Sequence, residues 1–474
     1  VNTSQLPPNT QLARSVSIDT IAAIATPPGR GGIGIIRLSG IEAFSIADRL
    51  FHPARPDAPC HVARPVYGHI RNPDDLALMD EVLLSRMRAP HSYTCEDVVE
   101  INTHASRAVL ESILRQVLDL GARLAEPGEF TRRAFLNGRI DLSQAEAVSE
   151  LINAQSERAA RMATNNLSGE LCDQIEAVCQ RLAAIEARIE TAIDFIEDCD
   201  DATIPSDLTS RVRADVIEPL QHLVVQYERE HLFREGAVVA IVGKPNVGKS
   251  SLLNALLKSE RAIVTEIPGT TRDMIEETIL IGQIPVLLVD TAGLRPPKDP
   301  VEAIGIEKTR QRVTTADMVV MMVDASAPLT TADFNVFAAV KRQEPLIVYN
   351  KIDLCHDAMA VKPPPEWASL PSVKISAKYL NGLQRMEKKI SDCLNGTAVL
   401  ETNPGPVPNF RQKNAILEAL TCAQALARGL EEAMPLEMVV VECREARQAL
   451  ALVIGAVSND SLLDDIFNKF CIGK

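Results

Sequence analysis

The residues with the plainest chemical capacity are Gly243-Lys244-Pro245-Asn246-Val247-Gly248-Lys249-Ser250. They fit G-x-x-x-x-G-K-S, follow the apolar run Ala237 to Val242 and precede a helix-like segment, Ser251 to Leu257. Strand, glycine loop and helix start are the setting a phosphate-binding loop requires. In such a loop the backbone N–H groups from Asn246 through Val247, Gly248, Lys249, Ser250 and Ser251 cradle phosphates, and glycines permit the close approach. Lys249 would reach the β- and γ-phosphates, and Ser250 would ligate Mg²⁺. The loop alone fits any nucleotide enzyme of this type.

Three later segments narrow the choice. Asp290-Thr291-Ala292-Gly293 ends the strand-like run Val286 to Val289, where an Asp assists Mg²⁺ and a Gly amide senses the γ-phosphate. Asn350-Lys351-Ile352-Asp353 follows the run Leu346 to Val348. Asp353 can accept two hydrogen bonds from guanine N1–H and N2–H₂, which adenine cannot supply, and a buried polar match of this kind discriminates strongly. Ser376-Ala377-Lys378 follows Ser372 to Ile375 and fits the loop that closes over guanine O6. The order of these elements predicts GTP as the nucleotide.

Between them, Thr265-Glu266-Ile267-Pro268-Gly269-Thr270-Thr271-Arg272-Asp273 occupies the switch I position, and Thr271 is the residue expected to complete the Mg²⁺ shell. After Gly293 stands Leu294, where Ras-like enzymes place a water-orienting Gln. The attacking water must be oriented otherwise, and a further positive charge is needed at the transition state. Asp299 and Glu302 are the nearby carboxylates with the right chemistry; a solvated switch residue is the plain alternative for Glu302.

The elements that must position these groups extend well beyond them. The chain has 474 residues, 46% hydrophobic and 24% charged, enough for several soluble domains. No apolar run approaches the roughly 20 residues that span a bilayer, so no membrane segment and a cytoplasmic location are expected. Ten scattered cysteines lack zinc-ligand spacing and read as reduced thiols. A net charge of −14 argues against a large basic groove for nucleic acid. Residues 1–16 read as a disordered tail. Residues 17–138 mix strand-like runs (Ile21 to Ala25, Ile33 to Leu38, Asp80 to Arg86, Val98 to Ile101) with helical ones (Ile41 to Leu50, Arg107 to Leu120), which predicts an α+β domain. Residues 139–235 and 398–474 are helical, and 236–397 alternates strands and helices as a doubly wound α/β domain does. The fold expected is multidomain α/β, with an all-α domain in two segments and a P-loop, Ras-like G domain inserted between them. Gly29-Arg30-Gly31-Gly32-Ile33-Gly34 fits G-x-G-x-x-G, but the strand-like Ile35-Ile36-Arg37-Leu38 follows where a dinucleotide fingerprint needs a helix.

These segments, with Pro90-His91-Ser92-Tyr93-Thr94, Pro127-Gly128-Glu129-Phe130-Thr131 and Cys471-Ile472-Gly473-Lys474, resemble the tRNA-modification GTPases of the TrmE–Era–EngA-like superfamily over residues 17–474. The resemblance implies that K⁺ sits against the phosphates in place of an arginine finger, held by Asn246 and by Thr265, Ile267 and Thr270. It implies Glu302, two residues before Ile304-Gly305, as the catalytic carboxylate. For residues 17–138 it implies a folate-binding and dimerising domain that takes 5-formyl-tetrahydrofolate or a related one-carbon folate, with contacts from Arg37, Glu100, Arg139 and Lys474. A structural salt bridge is the plain alternative for Arg37 or Glu100. Cys471 is implied as a nucleophile toward pyrimidine C6, with an exposed, inert thiol as the alternative. The family works as a homodimer and as a heterotetramer with the FAD-dependent protein MnmG, adding aminomethyl or carboxymethylaminomethyl groups at C5 of the wobble uridine of tRNA. The chain departs from the family pattern at Cys95, Ala105 and Ser106, where glycines are usual, and at Arg139, where Lys is frequent. A ribosome-assembly GTPase of the Era or Der kind binding rRNA, or a GTP-switched scaffold, are the rival readings.

Overall fold

The computed structural model describes residues 19–55, 64–194, 207–258, 262–263, 277–290, 316–355, 363–396, 404–457 and 460–474. They divide into two compact units, residues 1–149, 166–221 and 410–474 in one, and 150–165 with 222–409 in the other.

In the first unit a seven-stranded sheet has the order β3-β4-β5-β6-β2-β1-β7. Its strands are β1 (Ile21–Ile24), β2 (Ile33–Ser39), β3 (Phe51–Pro53), β4 (Val66–Arg71), β5 (Leu78–Met87), β6 (Val98–His104) and β7 (Arg123–Leu124). Alternation decides the faces: Ile36, Leu38, Ile70, Val82, Leu84, Val99 and Ile101 are buried together beneath α1 (Ala43–Leu50) and α2 (Arg107–Asp119). The glycine-rich segment 29–34 leads straight into β2, so the strand reading holds and no helix begins there. The short helix α3 (Glu129–Leu136) carries Glu129 and Arg133, both buried. Arg133 bonds Asp19, Glu96 and Glu129, and Arg123 bonds Asp19 and Glu129, so each buried charge is matched.

Helices α4 (Leu142–Asn153), α5 (Glu157–Leu167), α6 (Glu170–Asp194), α7 (Leu208–Val212) and α8 (Glu218–Glu235) follow. The second unit then holds a sheet of order β14-β13-β12-β8-β11-β10-β9. It comprises β8 (Ala237–Val242), β9 (Ala262–Ile263), β10 (Glu277–Ile281), β11 (Ile284–Asp290), β12 (Met318–Asp324), β13 (Leu346–Asn350) and β14 (Ser372–Lys374). Strands β8 and β11 to β14 run parallel, and β8, β11, β12 and β13 are buried on both faces, which is why they read as unbroken apolar runs. Helices α9 (Lys249–Lys258), α10 (Thr331–Val340) and α11 (Leu383–Asn395) cover them. Met162 of α5 and Phe233 of α8 join this core, so the unit takes in two pieces of the stretch that reads as a separate helical domain.

Helices α12 (Phe410–Glu431), α13 (Leu436–Ile454) and α14 (Asp460–Phe467) return to the first unit. There Cys443 donates its thiol hydrogen to the Leu182 carbonyl at 3.2 Å, and Arg444 and Arg447 clasp Glu186.

Candidate functional site

The phosphate loop leaves the C-terminal end of β8, the central strand, and opens α9. This is the crevice where open α/β sheets bind ligands. Asn246 (φ +65°) and Gly248 (φ +103°) hold left-handed backbone, which turns successive N–H groups toward one concavity. A Cβ at position 248 would strike the Asn350 amide, so glycine is required there on two counts. Lys249 is buried, and its Nζ donates to the carbonyls of Gly243 at 2.9 Å and Lys244 at 3.2 Å. Asn246 and Ser250 are exposed, and Val247 is fully buried.

The segments Asn350–Asp353 and Ser376–Lys378 close on this loop through one side chain. Asn350 Nδ2 donates to the Val247 carbonyl at 2.8 Å, and its Oδ1 accepts the Ala377 N–H at 3.0 Å. Asn350 is 3% exposed, so it ties the phosphate loop to both recognition segments from inside the core. Lys351 (φ +66°) donates to Asp324 at 2.7 Å. Burial works to raise the Asp324 pKa, but the Lys351 ammonium and Ser326 hold it below the usual aspartate range. Ser376 Oγ donates to Asp353 Oδ1 at 2.6 Å and orients that carboxylate, while Asp353 and Lys378 remain exposed. The backbone of Asp290 ends β11 beside Ile241, next to the phosphate loop; its side chain lies outside the described residues. So do Thr265, Glu266, Ile267, Pro268, Gly269, Thr270, Thr271, Thr291, Ala292, Gly293, Leu294, Asp299 and Glu302.

A second constellation lies in the first unit. Arg37 and Glu100 are opposite one another on β2 and β6, and Arg37 Nε and Nη2 both reach Glu100 Oε1 at 2.9 Å. The ion pair is therefore present, and both bonds use one carboxylate oxygen. The guanidinium lies 5.8 Å from the Tyr93 ring centre and 5.6 Å from that of Phe130. Arg139 lies 4.8 Å from the same Tyr93 ring and donates to the Tyr93 carbonyl at 3.2 Å. Two cations flanking an aromatic ring, with a carboxylate beside them, suit a flat heteroaromatic ligand that carries anionic groups.

The segment Cys471-Ile472-Gly473-Lys474 closes this group from one side. Ile472 bridges Pro127, Gly128 N–H donates to the Cys471 carbonyl at 3.4 Å, and Phe130 N–H donates to the Lys474 carbonyl at 3.2 Å. Gly473 (φ +93°) is buried, its carbonyl accepts Arg37 Nη1 at 3.4 Å, and a Cβ there would collide with the Ile24 carbonyl. Lys474 thus enters this constellation through its backbone carbonyl, and Cys471 stays exposed. The types of Tyr93, Phe130 and Gly473 do not by themselves mark a site; their place inside the segments that carry the family resemblance does. Cys95 keeps the left-handed backbone of a glycine (φ +59°), whereas Ser106 is extended (φ −86°) and Ala105 lies outside the left-handed region. Only the first of the three departures from glycine is strained.

Two family models match the chain. The model "GTP-binding protein TrmE N-terminus" matches residues 20–139, and "MnmE helical domain" matches residues 142–471. The proteins named tRNA modification GTPase MnmE from Carboxydothermus hydrogenoformans, Acetivibrio thermocellus and Moorella thermoacetica are 42%, 41% and 43% identical to it. Each alignment covers 96% of this chain and 99% of the relative. Among the described residues no helix is long and apolar enough to cross a membrane. With helical-domain identity spanning most of its length and full-length relatives above 40%, the chain belongs to the MnmE family of tRNA modification GTPases.

Proposed function

We propose that this GTPase acts as a homodimer and, with FAD-dependent MnmG, attaches a one-carbon unit from 5-formyl-tetrahydrofolate or a related folate at C5 of the wobble uridine of certain tRNAs, giving the aminomethyl or carboxymethylaminomethyl group. The observation that carries this reading is the Arg37–Glu100–Tyr93–Arg139 constellation, closed by Gly473, in a chain that also holds a phosphate loop. Arg37 and Arg139 would hold the ligand's anionic end, Glu100 Oε2 would accept from a pterin N–H, and Tyr93 would stack on the ring. In the G domain, Lys249 would bind the β- and γ-phosphates, Ser250 and Thr271 Mg²⁺, and Asn246, Thr265, Ile267 and Thr270 K⁺. Glu302 would orient water, and Asp353 would read guanine.

Tyr67, Leu76, Leu78 and Leu83 are about half exposed on and between β4 and β5, and this apolar patch supports the dimer. Cys471 would add to pyrimidine C6, activating C5. The domain division at 17–138, 139–235, 236–397 and 398–474 and a cytoplasmic setting belong to the same proposal. The test is mass analysis of tRNA wobble uridines after deletion, in potassium-replete cells. Loss of the C5 group is expected; unmodified levels unchanged beside stalled ribosome precursors would replace this reading with the Era or Der kind.

A further inference from the structure

We infer that Lys244 and Asp333 form a positioning pair for GTP hydrolysis, fixing from behind the peptide on which the phosphate-binding lysine rests. The inference rests on reading Gly243 to Ser250 as the phosphate loop. Lys244 is the second residue of that loop, and its two ends do different things. Its carbonyl accepts Lys249 Nζ at 3.2 Å, while its own Nζ donates to Asp333 Oδ2 at 2.8 Å, at the start of α10. The Asp333 side chain is 1% exposed and that of Lys244 19%, so the pair sits inside the protein. The same Oδ2 accepts the Thr330 N–H at 2.9 Å and the Thr330 hydroxyl at 2.8 Å, which locks it to the helix start. Asp333 Oδ1 is buried with no hydrogen-bond partner among the described residues, so every bond of this carboxylate is concentrated on the oxygen that holds Lys244. Burial pushes the Asp333 pKa up, but Lys244 and Thr330 bring it below the ordinary range, so the pair is ionic at neutral pH.

Lys244 is therefore neutralised by Asp333 and acts through the loop's geometry. The Gly243 and Lys244 carbonyls together define where the Lys249 ammonium rests. A loop held at 2.8 Å to a rigid helix keeps that resting place fixed; a loop without the tether spreads it over a range of positions. A misplacement of catalytic groups by a fraction of an ångström weakens both phosphate binding and transition-state contact. Guanine recognition uses β13 and β14 and does not pass through this pair.

The experiment measures labelled-GDP binding, GTP and ITP hydrolysis and thermal melting on the full chain, for wild type, K244M, K244M/D333N and K249A. The double variant removes both charges, so it leaves no buried charge unpaired and decides the matter if K244M alone does not fold. It is expected to bind GDP about tenfold more weakly and to lose kcat by a similar factor, with the GTP-to-ITP preference unchanged. Where K244M folds, it should lose as much as the double variant, because the two residues act as one unit. A folded double variant with GDP affinity and kcat within about twofold of wild type, beside a K249A that loses binding, overturns the positioning role alone. If K249A binds GDP as wild type does, the phosphate-loop reading falls and the pair's role with it.

Discussion

The nucleotide site and the Arg37 constellation are built on opposite plans. Around the phosphate loop, backbone does most of the holding: left-handed Asn246 and Gly248 aim N–H groups, and one buried side chain, Asn350, staples three loops together. Each loop is a contiguous motif at the C-terminal end of a parallel strand. The Arg37 group instead consists of side chains from β2, β6, the loop at Tyr93 and the end of α3, with a segment more than 400 positions away completing it. A site made of local backbone tolerates change outside its loops. One assembled from distant side chains depends on every element that docks there.

The largest effect that tests this contrast comes from Lys249→Ala. Loss of a buried, pre-placed cation from the phosphate site should reduce GTP hydrolysis by about 10²–10³-fold, while binding of a one-carbon folate is unchanged. Isothermal calorimetry with the folate beside a phosphate-release assay checks both halves. The reverse dissociation is expected of Gly473→Val: strain at a left-handed position costs of order 1–3 kcal/mol, so folate affinity should fall roughly 10- to 100-fold with hydrolysis retained. If both activities fall together in either variant, the two sites are not independent.

Acid should separate the units more gently. Burial tends to raise the Glu129 pKa, yet Arg123 and Arg133 hold it below the ordinary glutamate value of 4.5, and Asp324 and Asp333 lie below 3.8 for the like reason. A depressed carboxylate stabilises fully above its unfolded pKa, and that contribution is lost as pH falls through the folded one. The first unit should therefore begin to weaken below pH 4.5 and the second below pH 3.8. The only tryptophan, Trp367, is buried in the second unit, so its fluorescence should change after backbone exchange near Glu129 has already risen. The smallest effect is local: Cys95→Gly relieves a left-handed non-glycine residue and should stabilise by about 0.5–1 kcal/mol, seen as a raised Tm with no change at the nucleotide site.

The same contrast explains what could be read before any coordinates. Ala237–Val242 is a strand with the predicted bounds, and Leu346 and Ser372 each begin a strand where the strand-like runs begin. Buried parallel strands and phosphate loops carry their physics in adjacent letters, so composition and order suffice. The join between Asn350 and the Val247 carbonyl was not legible, since an asparagine in Asn-Lys-x-Asp suggests a base contact and not a structural staple. Nor was the placement of Met162 and Phe233 in the nucleotide core, because helical periodicity shows which face is apolar and not which sheet it meets. In the first unit the residue types of Arg37 and Glu100 were ambiguous between ion pair and ligand contact. Only the segments around Tyr93, Phe130 and Gly473, matched as blocks, pointed to a shared location.

The hydrogen bond from Arg37 to Gly473 spans 436 positions of sequence, and chains are made in one direction. At translation speeds of about 5–20 residues per second, the sheet around Arg37 waits on the order of half a minute for the segment that closes it. In that interval the entire nucleotide unit is synthesised and has time to fold. A ribosome that stalls just after that unit would release a molecule with an intact phosphate loop and an open Arg37 constellation. Order of manufacture thus leaves the second site open until Gly473 has been made, long after the residues of the sheet it completes.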